Sequence, residues 1–190
     1  LPNLLEHLPS DLAGKLPIGY ITEVNPAASA LVHSLADMLE TGAILLIDYG
    51  FGAAEYYHPQ RNQGTLMCHY QQLAHDNPLI HVGLQDTTAH VDFSQIASIL
   101  DVPSSPLEFK PMDIRLSGYV SQAQFLINCG ILNILQRRSP EDIEYMKLAA
   151  AAQKLLSPAE MGELFKVICF SKNFSEPLIG FVQGDKAHTL

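Results

Sequence analysis

No stretch of this 190-residue chain stays apolar for the roughly 18–20 residues that a membrane-spanning helix needs. No basic segment followed by an apolar one opens it, so no secretory leader is read. Cations are scarce: 11 Lys and Arg stand against 20 Asp and Glu, a net charge of −9 with His neutral. Nucleic-acid phosphates reward the opposite sign, so a nucleic-acid partner is not expected, while a basic protein segment would be welcome. Cysteine is sparse as well. Cys68, Cys129 and Cys169 are far apart and odd in number, which reads as reduced core thiols in a reducing compartment. There is no H-E-x-x-H, no H-x-H and no cysteine pair, and His69, His75 and His81 fall at steps of six. No metal site is therefore assigned. A nucleophile elbow, a phosphate loop and an internal repeat are missing too. The first residue is Leu rather than Met, so a piece of a longer protein is expected.

What is present describes a folded single domain. Apolar residues make up 47% and charged residues 16%, enough to build a core. Tyr20–Val24 alternates and reads as a strand. Asn25 and Pro26 then form a helix start, a side-chain cap followed by a proline whose missing N–H costs nothing there. Leu31, Leu35, Met38 and Leu39 recur at helical spacing, with Gly42 as the stop. "AILLI", residues 43 to 47, lacks alternation, as a strand covered on both faces does. A helix feeding such a strand points to an α/β sheet.

Regularity then fails from Gly50 to about Ala89. An insertion that long is functional or disordered, and its Tyr and His content favours an ordered, functional one. Beyond it, a helix over Asp92–Leu100, a strand over Asp113–Val120 and a helix capped by Ser121 and ended by Gly130 follow. Ser139, Pro140 and Asp142 open a further helix as a capping-box variant, Ser157 with Glu160 looks like the start of another, Phe165–Phe170 is the last strand, and the tail is irregular. At the N-terminus, three prolines before Gly19 leave room for one short helical turn.

Ligands of open α/β sheets sit beyond the carboxyl ends of the strands, and Asp48 stands at such an end. Its carboxylate could hold a cation, accept a proton or only cap the loop backbone. Gly50 and Gly52 could let a ligand approach, or serve turn geometry. "QDTTAHVDF" would cap the helix after it with Asp92, and also turn Asp86 and His90 toward the crevice.

Several of these stretches together, "ITEVNPAASALVHSLADMLETGAILLIDYGFGAAEYYHPQR", "GTLMCHY", "GLQDTTAHVDFSQIA" and "MGELFKVI", resemble the MidA-like family. Its members are S-adenosylmethionine-dependent methyltransferases, and the mitochondrial one is an arginine methyltransferase that assists assembly of respiratory complex I. The resemblance spans essentially all 190 residues. It implies a Rossmann-like class I methyltransferase sheet, with a long irregular insertion at about residues 50–91 after a central buried strand. It also implies an antiparallel closing pair of strands.

The family's glycine-rich cofactor loop and ribose-gripping acid have no counterpart here. Residues 1–190 are accordingly expected to be the C-terminal half of one methyltransferase domain, with S-adenosyl-L-methionine bound mainly by the absent half and no cofactor residue assigned. Asp48, Glu55 and Asp86 are then the candidates to orient and polarise a substrate guanidinium, with His90 to shuttle a proton. Tyr49 and Tyr56 would wall the substrate, with His58 beside them. The implied partner is a protein substrate such as a complex I subunit, in the bacterial cytoplasm or the mitochondrial matrix. The exposed edges of a half-sheet would let the chain form homo-oligomers. Two other classes stand open: a non-catalytic module or assembly factor gripping a basic partner segment, and a metal-dependent hydrolase.

Overall fold

The computed structural model describes residue 12, residues 15–101 and residues 114–190. The turn expected near the N-terminus falls largely outside them. The first regular element is α1 (Pro26–Met38), begun as the sequence implies: the Asn25 Oδ1 accepts from the Ala28 N–H at 3.2 Å. It turns a different face inward, however. Val32 and Ala36 are buried, whereas Leu31 and Met38 are 58% and 81% exposed. Tyr20–Val24 is not a strand; a single bridge joins Ile21 to Gln63.

β1 runs Gly42–Phe51, three residues beyond Asp48. The insertion after it is not irregular. It holds a short helix α2 (Ala53–Tyr56) and three strands, β2 (Met67–Tyr70), β3 (Leu73–His75) and β4 (Asp86–Thr88), which pair antiparallel in the order β3-β2-β4. β5 (Val91–Asp92) leads into α3 (Phe93–Ala97), capped by Asp92 as expected, with its Oδ1 accepting from the Gln95 N–H at 3.1 Å.

β6 (Ile114–Ser121) and α4 (Gln122–Asn128) follow, with Ser121 as the cap. Gly130, at φ +81°, ends α4, and α5 (Ile131–Leu135) begins at once. α6 (Ile143–Leu156) is capped by Asp142, one of the three residues expected to open it. Ser157 ends α6 instead of starting another helix; it caps a turn whose Gly162 N–H returns to the Ser157 carbonyl at 2.8 Å. β7 (Phe165–Lys172) is the last strand.

The main sheet has the order β5-β1-β7-β6. β7 lies antiparallel between β1 and β6, while β1 and β5 are parallel. On one face, Ile168 and Phe170 of β7 join Val32, Ala36, Phe93, Ile96 and Tyr119 in the larger core. On the other, Val167 and Cys169 pack with Val120 and Phe181. The strand covered on both faces is therefore β7. In β1, Ile44 and Leu46 pack inward, but Leu45 and Ile47 are 46% and 50% exposed. Cys68 and Cys169 are buried thiols, as expected, and burial pushes Cys169 up to about 11; Cys129 is exposed. Among the described residues no helix is long and apolar enough to cross a membrane.

Candidate functional site

Where β1 ends, a cavity of about 680 Å³ opens between that strand's tip, α2, β6 and the turn before β7. Phe51, Glu55, Tyr119, Glu163, Lys166 and Lys186 line it. Burial holds Lys166 below the usual ammonium range, with Glu163 and Glu55 pulling the other way. Its Nζ donates to the Glu163 carbonyl. At the rim, the Arg61 guanidinium lies over the Phe51 ring, Cζ 4.1 Å from the centroid, and its Nε donates to the Glu55 carbonyl at 3.1 Å. Phe51 also stacks on His90 at 5.2 Å, and Tyr49 meets His90 and Phe165 edge-on at 5.1 and 5.6 Å. An aromatic ladder with a guanidinium at one end thus borders the cavity.

A smaller cavity of about 300 Å³ lies behind it, bounded by Glu23, Tyr56, Thr88, His90 and Asp92. Glu23 is its organiser. Its carboxylate accepts from the Thr65 N–H at 2.9 Å, the Leu66 N–H at 3.0 Å, the Thr65 hydroxyl at 3.1 Å and the Tyr56 hydroxyl at 3.3 Å. Thr65 Oγ1 in turn accepts from the His90 N–H at 3.0 Å. Gly64 sits at φ +77°, and a Cβ there would run into the Glu23 carboxylate. The glycine in "GTL" is thus required by both backbone and space. Beside this hub, the buried Tyr57 hydroxyl donates to Asp92 Oδ2 at 2.9 Å.

The sequence candidates divide on this geometry. Glu55 lines the large cavity, and Tyr49 and His90 stand in the ladder beside it. His90 is half-buried; burial first, then Arg61, lowers its pKa, and its Nδ1 has no hydrogen-bond partner among the described residues. Tyr56 is a buried member of the Glu23 hub rather than an open wall, and burial pushes its hydroxyl up to about 12.

Asp48 is exposed, lines neither cavity and accepts from the Tyr49 N–H at 2.8 Å, which is the capping role. Asp86 is exposed on β4, paired opposite His69, and also lines neither cavity. His58 is exposed; its Nδ1 accepts from the Gln60 N–H at 3.3 Å and so starts a 3-10 turn. The sequence reasoning missed Glu23, Arg61, Phe51, Glu163 and Lys166. Glu23 and Thr65 do lie within the quoted stretches, but nothing in their spacing shows that they meet.

Among the described residues, Gly52 of the G-x-G lines the large cavity. Gly50 is not open to a ligand, because a Cβ there would strike the Val91 backbone of β5. Nor do three or more His, Cys, Asp or Glu gather as a metal-binding group among the described residues. His75 and His81, placed on no common face by their spacing, do bring their rings to 6.0 Å.

Residues 1–105 match a family model described as "Putative S-adenosyl-L-methionine-dependent methyltransferase". The chain belongs to that family. Two solved structures from Burkholderia thailandensis agree. One, described as a "COG1565 superfamily member and likely methyl transferase" bound to S-adenosyl-homocysteine, is 47% identical over 95% of this chain, with a TM-score of 0.85. The other, an "uncharacterized ACR, COG1565 superfamily protein", is 46% identical over 100% of it, with a TM-score of 0.87. This chain covers 45% and 48% of theirs, so it spans about half their length. No curated protein matches the chain. The mixed sheet with its antiparallel β7 is consistent with the methyltransferase fold of these relatives.

Proposed function

We propose that this chain is the substrate side of an S-adenosylmethionine-dependent protein arginine methyltransferase, and that the cofactor rests mainly on residues outside it. The reading stands first on membership of the methyltransferase family. It is supported by the S-adenosyl-homocysteine bound to the 47%-identical relative, which is the methyl donor after transfer. The single observation that carries the substrate class is the Arg61 guanidinium on Phe51. The rim of the 680 Å³ cavity already holds a planar cation between an aromatic face and a backbone acceptor. A substrate arginine entering past that rim would meet the Glu55 and Glu163 carboxylates.

Carboxylates suit this work, because a fork-like pairing fixes the guanidinium plane and lets one oxygen accept the proton it must lose. His90, stacked on Phe51 beside the rim, would take that proton onward. Asp48 and Asp86, which line neither cavity, have no part in this reading. The resemblance points to a respiratory complex I subunit or its bacterial counterpart as substrate, in the mitochondrial matrix or the bacterial cytoplasm. A second reading, a binding module for a basic segment, is favoured by the net charge of −9 and by the Glu55 and Glu163 side chains that line the large cavity.

The deciding test supplies S-adenosylmethionine with a labelled methyl group, and arginine or lysine peptides, to the longer protein that contains this chain. The proposal expects label on arginine nitrogen. Label on lysine would overturn the substrate class, and peptide binding without transfer would favour the binding module.

A further inference from the structure

The insertion carries an apolar surface that the catalytic reading does not use. In and beyond β3, Leu73, Leu79, Ile80, Val82 and Leu84 are 73%, 79%, 56%, 70% and 73% exposed. Their outward display is built in, because the loop that bears them is braced from within. His81 stacks on Tyr70 with centroids 4.2 Å apart, and Gln85 Nε2 donates to the Pro78 carbonyl at 2.8 Å. The Leu79 N–H also reaches Asn77 Oδ1 at 3.0 Å. Two polar side chains, Asn77 and Gln85, are thus paired within the loop while its apolar side chains face water. Together they expose on the order of 500 Å², near the upper end for the largest patch on a monomeric protein.

We propose that this arm is a homodimer interface, each copy covering the other's arm about a two-fold axis. Charge selects the occupant. The chain has no Lys or Arg between Arg61 and Lys110, and from Met67 to His90 its only formal charges are Asp76 and Asp86. A basic partner would find two carboxylates there and an acidic one no cation. A second copy, although it carries −9 overall, would meet an almost uncharged face.

The edge of the small sheet is self-complementary as well. β3 pairs with β2 on one side only, and among the described residues no strand takes its other edge. Two such edges related by a two-fold axis pair antiparallel, with Ala74 opposite Ala74. The apolar patch plus this pairing approaches the roughly 800 Å² per partner of a standard interface.

Sedimentation equilibrium of the longer protein, from low to high micromolar concentration, tests this. A dimer is expected, with its dissociation constant raised about 30-fold or more by Leu79→Glu combined with Val82→Glu. Leu45→Glu with Ile47→Glu, on the other exposed apolar face, leaves the dimer intact. Ala74→Cys tests the same axis without disturbing the patch: under oxidation it cross-links two copies. A monomer throughout would overturn the proposal and assign the arm to the remainder of the same protein or to another partner. So would a dimer that survives the arm variants but dissociates with the β1 pair, or an Ala74→Cys dimer that forms no cross-link.

Discussion

The Glu23 carboxylate receives hydrogen bonds from two backbone N–H groups and two hydroxyls, and through Thr65 it fixes the backbone of His90. Replacing it with Gln puts an NH₂ where an acceptor is needed. Glu23→Gln is expected to cost about 1–3 kcal/mol, read as a Tm lowered by several degrees in thermal unfolding. Gly64→Ala should cost a similar amount, because it adds both a strained φ and a collision with the same carboxylate.

His90 contributes a pH dependence with a definite sign. Its folded pKa lies below the ordinary 6.5, so between those two values the unfolded chain holds the proton and the folded one does not. Stability is then gained as pH rises through that window and lost as pH falls through it. His90→Gln should flatten that part of a Tm-against-pH profile; an unchanged slope would show that His90 is not the group responsible. Sequence alone placed the Asp92 cap, whose chemistry is local, and named Glu55 and His90, which the structure sets in and beside the large cavity. Of the other candidates, Asp48 takes the capping alternative, His58 accepts from nearby backbone, and Asp86 is exposed and lines neither cavity. Sequence alone missed Glu23, whose partners lie 33 to 43 residues away.

Among the elements, α1 shows how periodicity can choose the wrong stripe. Leu31, Leu35, Met38 and Leu39 are larger than Val32 and Ala36, yet the small pair is what allows α1 to approach α3 and the sheet. Ala36→Leu is therefore expected to cost about 1–3 kcal/mol by overpacking, and Leu31→Gln to stay within about 0.5 kcal/mol. Thermal unfolding of the two variants separates them. The β2–β3 hairpin was unreadable for a different reason. Its two-residue turn is Gln71–Gln72, with φ at +47° and +67°, where Asn-Gly would have announced it. "AILLI" and "FKVICF" look alike as apolar runs, and only tertiary structure tells which one both layers cover.

At the scale of the molecule, the α/β class and the alternation of helices and strands were legible from caps, stops and apolar runs. The strand order was not, because nothing local states that β7 inserts between β1 and β6; the family resemblance supplied that antiparallel closing pair. The half-exposed Leu45 and Ile47 were hidden by the same limit. The resulting molecule has the Glu55-lined cavity at the carboxyl end of β1 and an apolar, cation-free arm in the insertion.

The central claim is that the cavity beyond Phe51, rather than the Asp48 position, receives the substrate. Its most direct measurement compares methyl transfer to an arginine peptide by Glu55→Gln and Asp48→Asn variants of the longer protein. Glu55 is exposed and makes no side-chain hydrogen bond among the described residues, so its replacement should leave Tm unchanged. The account predicts a loss of about 100-fold or more in turnover for Glu55→Gln and a change within a few-fold for Asp48→Asn. Wild-type turnover in Glu55→Gln, with activity lost in Asp48→Asn, would contradict it.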